Sequence, residues 1–210
     1  GTGKGKQLTL TCGAVHNAYD LWVFADAAPA AYVTDWAEAK ARLAKGENVL
    51  FLPETIAEEH SIEGTYCTDF WNYPMFNSIS LSMNRKVPVG TLGLLIDTKH
   101  PALAAFPTKP YSTAQWYDVV TDSRAVKLDG LNLTSIVRTM DNCERNHDLA
   151  TIFEARVGKG SLLCCTAHLD RKTDSPACAK LLESLASYVA SDAFAPTQHI
   201  AVDKLDERFA

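Results

Sequence analysis

The sequence has no long apolar run: no stretch approaches the roughly 18–20 apolar residues that a membrane-spanning helix needs. Nor does it cluster its basic residues. Twenty Lys and Arg stand against twenty-five Asp and Glu, a formal net charge of −5, and no basic stripe awaits a phosphate backbone. Neither nucleic acid nor an anionic membrane surface is therefore an expected partner. The six cysteines (12, 67, 143, 164, 165 and 178) show no C-x2-C spacing, which removes the common zinc and redox motifs. No metal or cofactor is expected. Most of these cysteines read as small buried hydrophobes, with a structural disulfide left open. No Gly-x-Ser-x-Gly or Gly-x-Cys-x-Gly elbow occurs, so the strained turn that exposes a nucleophile in α/β hydrolases is missing. The opening GTGKGKQLTLTCG holds no apolar centre of a signal peptide, and a chain beginning at Gly1 reads as a piece from which any targeting segment would have been left off.

What is present suits a packed domain. An apolar share of 47% with 21% charged residues over 210 positions is enough for one core, or one core plus a fragment of another. QLTLTCGA (7–14) alternates apolar and polar residues, HNAYD (16–20) supplies turn chemistry, and LWVFAD (21–26) follows as a second strand, so a β-hairpin is expected. A lone hairpin is marginal in water, so it either joins a sheet further along or ends a domain lying upstream. After the linker DAAPAA (26–31) the texture changes: AYVT (31–34) as strand, DWAEAKARLAKG (35–46) as helix, NVLFLP (48–53) as strand. Asp35 and Glu38 have capping-box spacing, Trp36, Ala39 and Leu43 share a face, and Gly46 stands at the C-cap. Val49 to Leu52 and LGLLID (92–97) are apolar on both faces, as in a covered parallel sheet. The expected architecture is therefore an α/β three-layer sandwich with a mainly parallel sheet, preceded by a short hairpin.

Residues 53–90 are dense in aromatics and turn residues, with weak helical character around 70–83, and 97–116 reads as loops and short helices. Strands are expected at 135–141, 148–157 and 161–169, the last two joined by the tight turn Gly158-Lys159-Gly160. A helix over 175–190 opens on Ser175 and Pro176 and places Ala179, Leu182, Leu185, Ala186 and Val189 on one face. The tail 195–210 is polar and expected to pack loosely.

Chemistry has few places to reside. His168 and Asp170 follow a strand, where a base and its orienter would sit in an open α/β sheet, and Cys67 or Cys165 would have to serve as nucleophile. The plainer reading is a strand-end histidine bonded to backbone. Glu144, His147 and Asp148 in DNCERNHD (141–148) have metal-ligand character, yet a polar turn or an Arg145 ion pair explains them as well. Glu54, Glu58, Glu59 and Glu63 form an acidic loop rather than a carboxylate pair across a cleft. Trp71, Tyr73, Phe76, Trp116 and Tyr117 could stack on sugar faces or fill the floor beneath long loops.

Several strings carry a resemblance: NAYDLWVF (17–24), FWNYPMF (70–76), LGLLIDTKHPALAAFPT (92–108), AQWYD (114–118), DNCERNHDL (141–149) and FEARVGKGSLLCC (153–165). Over about 8–194 the chain is similar to the region after the catalytic barrel in large bacterial family 2 glycoside hydrolases of the β-galactosidase type, notably from Bacteroidetes. The resemblance implies that residues 1–30 end an upstream β-sandwich domain, that 31–194 form a flavodoxin-like, class I glutamine amidotransferase-like domain related to ThuA-like proteins, and that 195–210 are a tail. It also implies a non-catalytic accessory role beside a sugar-cleaving barrel lying outside this chain. The partners would be the parent's other domains and an oligosaccharide held by Trp71, Asn72, Trp116, Arg145 and His147. Periplasm or cell surface is the implied location. His168 and Asp170 sit where the amidotransferase fold carries His-x-Glu, with Asp for Glu, and its cysteine elbow has no counterpart. Two rival functions remain: a stand-alone amidotransferase-like hydrolase using a cysteine with His168, and an interaction module marked by a flat apolar patch and a stable dimer.

Overall fold

The computed structural model describes residues 4–64, 78, 81–84, 91–142 and 145–210. Strands β1 (Lys4–Cys12) and β2 (Val15–Val23) form an antiparallel hairpin in unbroken register from Lys4↔Val23 to Cys12↔Val15. Gly13 turns it with a left-handed φ of 59°, which costs glycine no Cβ clash. Among the described residues the hairpin is a sheet of its own and adds no strand to the main one.

Helix α1 (Trp36–Ala44) follows, with Asp35 accepting from the Glu38 amide at 2.7 Å and Gly46 at φ 90° closing the far end, as the caps predict. Its buried face is Trp36, Ala39 and Leu43. Then come β3 (Asn48–Phe51), β4 (Ser61–Glu63), β5 (Gly93–Ile96), the single turn α2 (Tyr117–Val120), β6 (Arg124–Lys127), β7 (Ser135–Met140), β8 (Asp148–Val157), β9 (Gly160–Cys165), α3 (Pro176–Val189), β10 (His199–Ile200) and α4 (Val202–Phe209). Ser175 caps α3, and Pro176 occupies its first turn. The buried face of α3 is Cys178, Leu181, Leu182, Leu185 and Tyr188. Ala179, Ala186 and Val189, expected at its centre, lie at its margin.

The sheet is centred on β8. Along one edge β8 pairs with β9 over 152–157 and with β6 at 149–150; along the other it pairs with β7 over 148–153 and with β10 at 156–157. Among the described residues five of the pairs in this sheet are antiparallel and two, β3/β9 and β8/β10, are parallel. The expectation of a flavodoxin-like, class I amidotransferase-like sandwich with a mainly parallel sheet is therefore incorrect. The reason is connection length: the links between β7, β8 and β9 are too short for the crossover that parallel neighbours require. β5, read as a covered parallel strand, pairs antiparallel with β7 and leaves Leu95 53% exposed.

Alternate residues of the strands feed two apolar cores. Val49, Phe51, Phe153, Ala155 and Cys164 meet α1 and α4 on one face. Leu50, Leu52, Ile152, Leu163 and Cys165 meet α3, Phe106 and Trp116 on the other. The tail corrects a second expectation, because it packs firmly. Leu205 and Phe209, four apart on α4, are buried, and the Phe209 ring lies 5.2 Å from Phe51 and 5.8 Å from Trp36. Arg208, 5% exposed, donates to the carbonyls of Lys127 and Lys204. Phe209→Ala should therefore cost about 3–5 kcal/mol, read as a lower urea midpoint with the slope unchanged.

Candidate functional site

β3 and β9 run parallel, so their carboxyl ends emerge side by side. Beyond β9, Thr166 still bonds Thr151 across to β8, and the chain then breaks at His168, held at φ 51° and ψ 44°. A left-handed conformation at a residue with a side chain costs about 1–2 kcal/mol. It turns the chain into a single 3-10 turn, Leu169–Arg171. Arg171 Nη2 donates to the Glu54 carbonyl at 3.0 Å and so ties the two strand ends together. Lys172 Nζ donates to the carbonyls of Val119 and Thr121, anchoring α2.

His168 is half-buried. Burial first, and then the neighbouring Arg171 charge, hold its imidazole below the usual histidine range, so it is neutral at pH 7. A neutral imidazole can accept a proton, but it needs something to activate. Among the described residues it bonds neither a thiol nor Asp170. Asp170 instead approaches Arg171, Oδ2 to Nε at 4.0 Å. Cys165, the nearest thiol in sequence, is completely buried in β9, and burial pushes its thiol up to about 12. Burial raises Cys164 and Cys178 as well. Thiols in this state are neither nucleophiles nor metal ligands at neutral pH. Cys67 lies outside the described residues, as do Trp71 and Asn72.

The remaining expected sugar contacts are occupied by structure. Trp116 is fully buried, its ring edge-on to Phe106 at 5.3 Å, and its indole N–H donates to Thr108 Oγ1 at 2.8 Å. With no ring face open, it fills the core and stacks on nothing outside it. Arg145 donates through Nε and Nη2 to Asp141 Oδ1 at 3.0 and 2.7 Å. The Asp141 carboxylate also accepts from the backbone amides of Asn142 and His147, so this pair builds the turn between β7 and β8. The His147 ring faces Asp129, Nδ1 to Oδ2 at 3.3 Å. Among the described residues no three His, Cys, Asp or Glu side chains gather as metal ligands.

The structure adds two polar groupings that the sequence did not suggest. Tyr188 donates to Glu154 Oε2 at 2.9 Å, burial and that carboxylate raising its phenol, and His100 Nε2 stands 3.8 Å from Glu154 Oε1. These residues come from a loop, a strand and a helix, with no local spacing to betray them. The only sign was Glu154 interrupting the apolar run of DLATIFEARV. The second is Lys180, 1% exposed, paired with Glu183 at 2.8 Å; Glu183 also accepts from the Ala28 amide. Two open grooves flank that linker. One, of about 540 Å³, is lined by Ala30, Tyr32, Arg42, Asn48 and Glu183; the other, of about 650 Å³, by Phe24, Asp26, Pro29, Pro176 and Leu182. Neither takes in His168, Trp116, Arg145 or His147.

The class that this geometry defines is a domain with a mixed, mainly antiparallel sheet covered by helices and a protruding hairpin. The chain belongs to the family described as a domain of unknown function, DUF8487, which matches residues 31–210. That span begins after the hairpin and its linker and includes α4. No curated protein matches the chain.

Two measurements check the site. Trp116→Ala should cost about 3–5 kcal/mol of stability, because it empties a core position. The Cys165 thiol, at about 12 when folded against 9.0 when free, ionises first in the unfolded chain, so its stabilising contribution is full below pH 9 and is lost as pH rises towards 12. Wild type should accordingly lose more stability than Cys165→Ala over that window in urea titrations.

Proposed function

We propose that this chain is a non-catalytic accessory domain of a carbohydrate-degrading enzyme, acting as a structural support rather than as a sugar-cleaving or strongly sugar-gripping unit. The observation that carries the non-catalytic part is the state of the β9 terminus. A strained, neutral His168 stands at a strand end, and the adjoining thiol of Cys165 is sealed in the core with its ionisation suppressed. Acyl or glycosyl transfer through such a thiol would require a nucleophile at the surface. The support role draws on the fate of the polar residues: Arg145 and His147 are spent on a turn, and Trp116 on the core. The carbohydrate setting rests on the sequence resemblance to the region after the barrel in family 2 glycoside hydrolases.

A hydrolase using a cysteine with His168 is the second reading. What favours it is His168 itself, since a left-handed histidine at the carboxyl end of a buried strand is a strained residue of the kind that active sites hold.

One experiment separates the two. The chain is titrated calorimetrically with galactosides and with plant oligosaccharides, and is assayed for turnover of nitrophenyl esters and galactosides. The accessory reading expects no turnover, and a His168→Ala variant indistinguishable from wild type in both assays. Turnover that disappears in His168→Ala and after iodoacetamide treatment would establish the hydrolase instead.

A further inference from the structure

The β1–β2 hairpin carries the largest unexplained feature of the molecule. Its register places Leu8, Leu10, Cys12, Val15, Tyr19, Leu21 and Val23 on one face, with Asn17 opposite Leu10 and Lys6 opposite Leu21, and Gln7, Thr9, Thr11, His16, Ala18, Asp20 and Trp22 on the other. On the polar face Asp20, near the base, meets Lys109, Oδ2 to Nζ at 3.0 Å, and the residues from Gln7 to Ala18 are exposed there too. The apolar face is open: Leu8 is 46% exposed, Leu10 55%, Val15 73%, Tyr19 48%, Leu21 44% and Val23 58%. These side chains leave on the order of 600 Å² of surface uncovered per copy, as much as the largest patch of a typical monomer. The family match begins at residue 31, so the hairpin stands outside the unit that buries its own core.

We propose that this face is a homodimer interface, in which the hairpins of two copies pack face to face as a four-stranded β-sandwich. Three observations select a second copy. The first is area: two such faces bury about 1,200 Å², above the roughly 1,000 Å² that a specific interface needs. The second is fit. A copy of the hairpin brings a face of the same length and the same alternation, and stacked sheets accept apolar side chains from both sides across about 10 Å. The third is charge. From the Leu8↔Tyr19 pair to the Cys12↔Val15 pair the face carries no charged residue, and Lys6 lies towards its base. A two-fold axis through the middle sets that lysine against the partner's tip rather than against its own counterpart. The pairing also satisfies a requirement that the hairpin alone does not meet, because two strands are marginal in water and need a covered apolar face. The inference is independent of the sugar setting, which neither area nor charge enters.

Sedimentation velocity on the full chain, from about 1 to 100 µM, tests it. The expected result is a reversible dimer of the 22.9 kDa chain. The double substitution Leu10→Lys with Tyr19→Lys should weaken it at least ~100-fold, as hot-spot loss at an interface centre does. Leu95→Lys, on the exposed surface of β5, serves as the control and should leave dimerisation unchanged. Circular dichroism melting of each variant shows whether the body remains folded. A wild type that stays monomeric at 100 µM overturns the proposal and leaves the face to a sheet of another domain or chain. A dimer that survives the double substitution, or that Leu95→Lys abolishes, overturns it equally, because the contact would then lie elsewhere.

Discussion

The fold depends on one strand being paired along both edges and dry on both faces. β8 serves four neighbours at once, β6 and β9 on one side, β7 and β10 on the other, and apart from Asp148, Glu154 and Arg156 its residues are buried. The two cores meet only through the sheet it centres: Phe153 and Ala155 belong to the α1/α4 side, Ile152 to the α3 side. Tight approach around it limits what the surrounding chain can be. A Cβ at Gly160, the first residue of β9, would fall 2.6 Å from the Glu47 carbonyl oxygen and 2.8 Å from Leu43, so only glycine lets β9 start so close beneath α1. Backbone contact of this kind fixes the spacing of helix and sheet before any side-chain preference is expressed.

Local signals were legible in the sequence wherever a short segment decides its own structure. The Asp35 cap and Gly46 closed α1 as read, Ser175 and Pro176 opened α3, and Gly158 turned β8 into β9. Strand direction was misread because burial on both faces was equated with parallel pairing. Val49 to Phe51 do run parallel to β9, but the same apolar texture at 92–97 belongs to a strand paired antiparallel with β7. Periodicity reports which faces are covered. It carries no information about which way the neighbour runs; connection length does, and the seven-residue polar link 141–147 ahead of Asp148 already required an antiparallel turn. The tail was misjudged for a related reason. Its mean polarity hid Leu205 and Phe209, two apolar residues at helical spacing on the eight-residue α4, with Phe209 seated against Trp36 and Phe51.

The candidate site was less legible than the fold, because residue type does not distinguish a side chain that binds from one that holds. For Trp116 the sequence leaves sugar stacking and core filling open, and the structure decides for the core: its indole N–H has a partner in Thr108 eight residues back, which lets the whole ring be buried without an orphaned donor. Arg145 and His147 sit in a stretch rich in Asp, Asn and His, where one carboxylate, Asp141, collects the donors of a whole turn. Here the structural alternative set beside each sharper reading describes the contacts. His168 is the exception: its composition suggested a strand-end histidine bonded to backbone, and what distinguishes it is backbone strain together with a depressed basicity, neither of which a sequence displays.

The connection between body and hairpin shows how a buried charge can set the direction of an exposed element. Lys180 is almost completely enclosed on α3 and needs a counter-charge; Glu183, one turn on, supplies it, and the same pairing holds that carboxyl below the usual carboxylate range. The second oxygen of Glu183 accepts the amide of Ala28, so the linker is bonded to the helix at the point where the chain leaves for the hairpin. Phe24, stacked on Phe106 at 5.7 Å, makes a second attachment, and Asp20 on Lys109 a third. Three attachments along nine residues, from Asp20 to Ala28, fasten the base of the hairpin and its linker to the body. Beyond that base, residues 5–19 are exposed on both faces of the hairpin, so its order comes from its own unbroken register, and whatever covers the apolar face meets two strands already paired.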